Sequence, residues 1–204
     1  HAGGGGIVDT TDFDLARDPL ALQRISRATG LNVVMGSGHY VPLAHPANMD
    51  DLTEQEITER IVSDVTVGIR DTGVKSGIIG EIGCSIPLHP QERKSVYASG
   101  MAQKETGAPL TLHVPGDTAL RQEVLQTLLE AGANPEKVIF GHSDGFRDLD
   151  GIRALAEAGS YIQLDVFGWE DTSLEGVMPG VRFTTDAERL ETVAAIAEMG
   201  FIDQ

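Results

Sequence analysis

Short apolar runs alternate along this chain with longer stretches whose apolar residues recur at helical spacing. The runs at 7–11, 31–35, 77–83, 109–113, 138–142 and 161–166 are too short for helices and read as buried parallel strands. Behind each lies a helix signal. Asp18-Pro19 opens a helix through Leu22, Ile25 and Ala28 that Gly30 stops. Thr53 with Glu56 forms a capping box ahead of Ile57, Ile61, Val65 and Ile69. Pro90 opens a helix that runs to Gly107, and Leu120, Val124, Leu125 and Leu128 mark another, ended by Gly132. Ile152, Leu155 and Ala156 mark the fifth, and Thr185 with Glu188 caps the last, which ends near Met199-Gly200. Six strand-then-helix units in strict alternation predict an α/β fold, a parallel sheet wrapped by helices. It is either doubly wound or a (β/α)8 barrel. Polar or charged residues at most strand ends favour the barrel, where every strand delivers to one rim. Six units do not close an eight-stranded barrel, so an incomplete one is expected.

Composition narrows the partners. At 204 residues and 41% hydrophobic, the chain suits a single domain, 1–204, with a real core. A net charge of −16 argues against nucleic acid and anionic membrane surfaces, because the long-range field repels both. A small-molecule substrate is the expected partner. Cys84 is the single cysteine, so no internal disulfide framework exists. No apolar stretch approaches a membrane span, the N-terminal residues lack signal-peptide character, and a cytoplasmic location is the expectation. The glycines at 3–6 precede a strand, whereas a phosphate-cradling loop must follow one.

The candidate chemistry sits where strands end. Ile78-Ile79 feeds Glu81, Leu110-Thr111-Leu112 feeds His113, and Ile139-Phe140-Gly141 feeds His142. Alone, each is more often a rim hydrogen-bonding group than a ligand. Together, on successive parallel strands of one rim, a carboxylate and two imidazoles are a donor set for a divalent metal. Asp165 reads first as a hydrogen-bond acceptor behind a ligand. Tyr40, Phe167 and Trp169 read as pocket walls or capping aromatics, and Asp9 as a rim hydrogen-bonding group. His39 reads as lining its loop, His45-Pro46 as a turn, His89 as a helix cap, and Cys84 as packing rather than a nucleophile.

These residues carry a resemblance. Gly77 to Ser85 (GIIGEIGCS), Leu112-His113, Gly141-His142-Ser143-Asp144 and Leu164-Asp165-Val166-Phe167-Gly168 resemble the phosphotriesterase family of the amidohydrolase superfamily, above all its phosphotriesterase-related branch. Gly36 to Pro42 (GSGHYVP), with His45-Pro46, resembles the same branch. The resemblance implies a (β/α)8 barrel with a two-metal centre, usually zinc. Glu81 would bridge the metals, and His113 and His142 would ligate the more exposed one. The family's His-x-His pair on its first strand and Asp on its last are not found; His1-Ala2-Gly3 is not that pair. The visible strands would then be the second to seventh, and this chain would hold at most one zinc.

The implied activity is hydrolysis, with metal-activated water attacking an ester, lactone, amide or phosphotriester. A homodimer is compatible with this reading. Two alternatives stand beside it: a truncated metal-binding barrel without turnover, and a metal-free barrel lyase. The lyase needs a Schiff-base lysine at a strand end, but Lys75 precedes its strand and Lys137 begins another.

Overall fold

The computed structural model describes residues 3–114, 118–145, 148–169 and 184–203. His1 and Ala2, part of the reading about a missing ligand pair, lie outside them. The elements alternate as β1 (Gly6–Asp9), α1 (Pro19–Thr29), β2 (Asn32–Met35), α2 (Glu54–Thr66), β3 (Ile79–Gly83) and α3 (Pro90–Thr106). They continue as β4 (Leu110–His113), α4 (Thr118–Ala131), β5 (Val138–Gly141), α5 (Leu149–Glu157), β6 (Tyr161–Ile162) and α6 (Asp186–Glu198).

Helix boundaries follow local chemistry. The Asp18 side chain accepts the Ala21 amide at the start of α1, and Gly30 ends it in the left-handed region at φ 74°. Capping boxes open α2 (Thr53 with Glu56), α3 (His89 with Glu92) and α6 (Thr185 with Glu188). His89 is thus the cap that its place before Pro90 predicts. The α2 stripe corrects in one place. Ile57 and Ile61 are buried on the helix, but Ile69 is buried beyond its end at Thr66.

All strand pairings are parallel, β1 with β2 and then β3-β4-β5-β6. The two groups meet through Gly77 N–H to Met35 O (3.0 Å) and Gly80 N–H to Ser37 O (2.6 Å). Gly36 makes a closer contact available. A Cβ there would lie 2.1 Å from Gly80 O and 2.9 Å from Thr10 O. Lacking one, the chain lets Thr10 O accept the Glu81 amide at 2.9 Å, which ties the end of β1 to the middle of β3.

Alternation decides what faces where. Leu110, Leu112, Val138 and Phe140 point to the helices and join Ile57, Ile61, Val96, Val124, Leu128 and Leu155 in the core. Thr111 and Ile139, between them, face the inside of the array. In β3 a strict period of two would put Glu81 on the same face as Ile79, in the core. Instead the register shifts between Ile79 and Ile82, so both isoleucines are core and Glu81 turns inward. Glu81 therefore lies within its strand, not at the strand's end as the apolar run suggested.

Each strand is shorter than its apolar run, and the two outer ones stop well before the run ends. The first is Gly6–Asp9 rather than 7–11. The last is only Tyr161–Ile162 rather than 161–166. Beyond it, the amides of Asp165 and Val166 turn to the Asp144 carboxylate (3.0 and 3.2 Å), so a side chain replaces the neighbouring strand as acceptor.

Among the described residues β1 and β6 are the outer strands and do not pair with each other. Ile7 and Val8 are 53% and 57% exposed, apolar positions on an edge without a neighbour. The array is an incomplete barrel, as six units require.

Candidate metal centre

Five of the six strands, β2 excepted, contribute to one cavity of about 650 Å³. Val8, Ile78, Ile139 and Ile162 form its apolar lining, and Glu81, His142 and Asp165 stand among its polar groups. Glu81 Oε1 is 3.3 Å from His142 Nε2, and Glu81 Oε2 is 3.9 Å from His113 Nδ1. The two imidazole rings meet edge to face with centroids 4.7 Å apart. One ligand atom from each of Glu81, His113 and His142 fits within a mutual distance of 4.8 Å. A carboxylate and two imidazole nitrogens at this separation are the donor chemistry of a divalent transition cation, and the residues fit one.

His142 is held from behind. It follows β5 with φ 54°, a left-handed conformation that a non-glycine residue keeps only when its surroundings hold it there. Asp165 Oδ1 accepts both its backbone N–H (3.1 Å) and its Nδ1 (3.0 Å), which aims Nε2 at Glu81. The Asp165 hydrogen bond, and next the one to Glu81, push the His142 pKa up to about 10. Burial moves His113 the other way, downward, against the charge of Glu81. Asp165 thus stands behind His142, where its sequence position suggested.

Asp165 is itself placed by groups that sequence reasoning missed. Its backbone amide donates to Asp144, whose carboxylate faces the buried Arg189 Nε of α6 at 3.4 Å. Nothing in strand periodicity marks Asp144 or Arg189, because their partners lie far apart in the chain.

Tyr40 reaches the site from the loop after β2. Its hydroxyl lies 3.2 Å from His113 Nδ1, and the rings are 5.0 Å apart. Burial, then the charge of Glu81, pushes the phenol up to about 12, so it stays protonated at neutral pH. The loop is pinned by buried charges. Arg17 pairs with Asp64 at 2.9 Å and donates to Gly36 O, and Asp64 also accepts the Ser37 hydroxyl.

The remaining candidates lie elsewhere. His39, read as lining its loop, is not among the converging ligands. It is buried, with Nδ1 2.9 Å from Asp14 Oδ1, and that carboxylate also accepts the Tyr40 amide. His45 is more than a turn residue: its Nε2 lies 2.7 Å from Tyr40 O and its Nδ1 2.9 Å from Gln91 Oε1. Cys84 is buried, and burial raises its thiol pKa well above the usual range, in keeping with a packing role. Asp9 accepts the Thr11 amide at 3.0 Å. Trp169 is not brought to the cavity lining. It is 57% exposed, and its carbonyl accepts Arg189 Nη2 at 3.1 Å.

Asp12, which the sequence did not single out, is buried with Oδ2 lacking a hydrogen-bond partner. Burial, then the charge of Asp14, raises its pKa to about 7. The folded protein therefore binds a proton that the unfolded chain releases near its ordinary value. The contribution of Asp12 to stability is full below the ordinary carboxylate range and is lost as pH rises toward 7. The melting temperature should drop between about pH 5 and about pH 8, and Asp12→Asn should remove much of that drop. An unchanged slope in the variant would assign the pH response to other groups.

A parallel strand-and-helix array with a carboxylate and two imidazoles on its inner face is an incomplete (β/α)8 barrel with a candidate metal centre. The sequence model of the phosphotriesterase family matches residues 1–204, and the chain belongs to that family. It is 35% identical over 207 residues to a phosphotriesterase-related protein of Nematostella vectensis, covering 99% of this chain and 58% of that protein. It is 34% identical over 200 residues to an N-acetyltaurine hydrolase of Dictyostelium discoideum, covering 98% of this chain and 54% of that one. Among solved structures, a resiniferatoxin-binding protein from Rhodobacter sphaeroides superposes with a TM-score of 0.92 at 33% identity, over 98% of this chain and 56% of that one. The chain thus spans little more than half the length of these relatives.

Proposed function

We propose that these residues form the greater part of a zinc-dependent hydrolase barrel and hold the ligands of one of its cations. The convergence of Glu81, His113 and His142 within 4.8 Å carries the reading. Glu81 would supply carboxylate oxygen, His113 Nδ1 and His142 Nε2. When bound, zinc in such a site supplies Lewis acidity toward a carbonyl or phosphoryl oxygen and lowers the pKa of water. The chain's own residues do the rest. Asp165 accepts the Nδ1 proton of His142 and thereby keeps Nε2 as the donor toward the cation. The apolar cavity wall of Val8, Ile78, Ile139 and Ile162 would limit water around the reacting group once the barrel is closed.

Among ester, lactone, amide and phosphotriester, the N-acetyltaurine hydrolase relatives favour an amide, of the class of N-acylated amino compounds. A metal-free lyase is the weaker reading, since no lysine lines the cavity among the described residues and Lys137 Nζ instead donates to Gly107 O at 2.8 Å. A second cation and a proton acceptor for the attacking water would come from barrel strands beyond these six. We therefore read the 204 residues as a partial barrel of weak activity by itself.

The test is to titrate zinc into the purified chain and into a longer chain with all eight strands. N-acetyltaurine, an aryl ester, a lactone and an organophosphate are the substrates to assay. Zinc-dependent hydrolysis with the amide preferred, slower by about a hundredfold or more in the shorter chain, is the expected result. Absence of zinc-dependent hydrolysis in the longer chain would refute the reading.

A further inference from the structure

We propose that the Tyr40 hydroxyl occupies the ligand nitrogen of His113 while the site is free and competes with the incoming cation for it. The inference rests on reading Glu81, His113 and His142 as cation ligands. His113 Nδ1 is the ring nitrogen within 4 Å of Glu81, and the Tyr40 hydroxyl lies 3.2 Å from that same atom. An sp² ring nitrogen has one lone pair. If the hydroxyl donates to it, the lone pair is engaged; if the nitrogen is protonated and donates, there is no free lone pair at all. In either arrangement the contact with Tyr40 must break before Nδ1 can ligate.

The hydroxyl does not sit there by chance of a mobile loop. The Tyr40 amide donates to Asp14 Oδ2 at 2.9 Å, and its carbonyl accepts from His45 Nε2 at 2.7 Å. The backbone also presses on Gly83, where an added Cβ would lie 2.4 Å from the Tyr40 carbonyl carbon. Three contacts from three segments fix the base of the side chain, so the ring can leave His113 only by rotating about its own bonds. The Asp14 carboxylate is in turn buried and held by His39. The buried His39–Asp14 pair and the His45 contact thereby act on the centre through Tyr40. Tyr40 is a positioning residue: it keeps the His113 ring facing Glu81 in the free site, at the cost of blocking the nitrogen it positions.

The effect reads directly as zinc affinity. A hydrogen bond of this kind has a net worth that corresponds to between about twofold and tenfold in an equilibrium constant. Tyr40→Phe keeps the ring and its packing and removes only the hydroxyl. It should bind zinc between about twofold and tenfold more tightly than the natural chain. The gain should vanish in a His113→Ala background, since the competition runs through that nitrogen alone. The natural chain should also show a tyrosine ultraviolet difference signal on zinc addition that Tyr40→Phe lacks, with Tyr97 and Tyr161 as internal controls.

Equal or weaker zinc binding by Tyr40→Phe, or the same gain in the His113→Ala background, would overturn the proposal. Zinc binding that Glu81→Ala leaves untouched would be a different failure. It would remove the metal centre itself, and this inference with it.

Discussion

Glu81→Ala should lower zinc affinity at least about a hundredfold, more than the loss commonly seen when a group behind a ligand is removed. Glu81 faces both histidines, Oε1 toward His142 and Oε2 toward His113. It is the carboxylate among the three converging groups, so its loss leaves two neutral imidazoles with no charge to offset a dication. Asp165 is a poor substitute, because its Oδ1 holds the backbone and Nδ1 of His142, the ring edge opposite the Nε2 that faces Glu81. The fold should survive, since the Glu81 side chain points into the cavity and its backbone amide still reaches Thr10 O. Calorimetric zinc titration and a melting curve on the same sample separate the two effects. Zinc affinity within a few-fold of the natural chain would mean that Glu81 is not a ligand.

His39→Ala should do the reverse, with large damage to stability and little direct effect on the ligands. His39 and Asp14 form a pair with side chains 3% and 0% exposed. Removing the histidine strands a buried carboxylate, and breaking such a pair by deleting one partner costs about 3–5 kcal/mol. The Tyr40 amide would still donate to Asp14, so the carboxylate keeps one of its contacts and the lower end of that range is expected. Denaturant unfolding measures the loss. A change below about 1 kcal/mol would mean that the buried pair contributes little to stability.

The contrast between Glu81 and His39 shows what the sequence could and could not reveal. The order of strands and helices was legible because apolar runs, capping boxes and helix-ending glycines are local signals. His113 was legible as a site residue for the same reason, lying two positions after the cavity-lining Thr111 on a regular strand. Glu81 was singled out by its setting, but its inward direction depends on the irregular register between Ile79 and Ile82. Alternation alone puts it on the other face. His39, four residues beyond the same kind of apolar run, gave no local sign of burial. Its partner Asp14 lies 25 residues away, on the loop after β1. The shortening of β6 has the same origin, since the competing acceptor, Asp144, comes from the loop after β5. Long-range polar pairing carries no periodicity, and that is where reading from the sequence stopped.

In the proposed centre Glu81, His113 and His142 bind one cation between them. The most direct measurement is a crystal of the protein grown with zinc and recorded on both sides of the zinc absorption edge. An anomalous peak is expected, enclosed by the Glu81 carboxylate, His113 Nδ1 and His142 Nε2, with the Tyr40 hydroxyl withdrawn from His113. A peak elsewhere with these three side chains unchanged, or no peak at saturating zinc, would contradict that assignment.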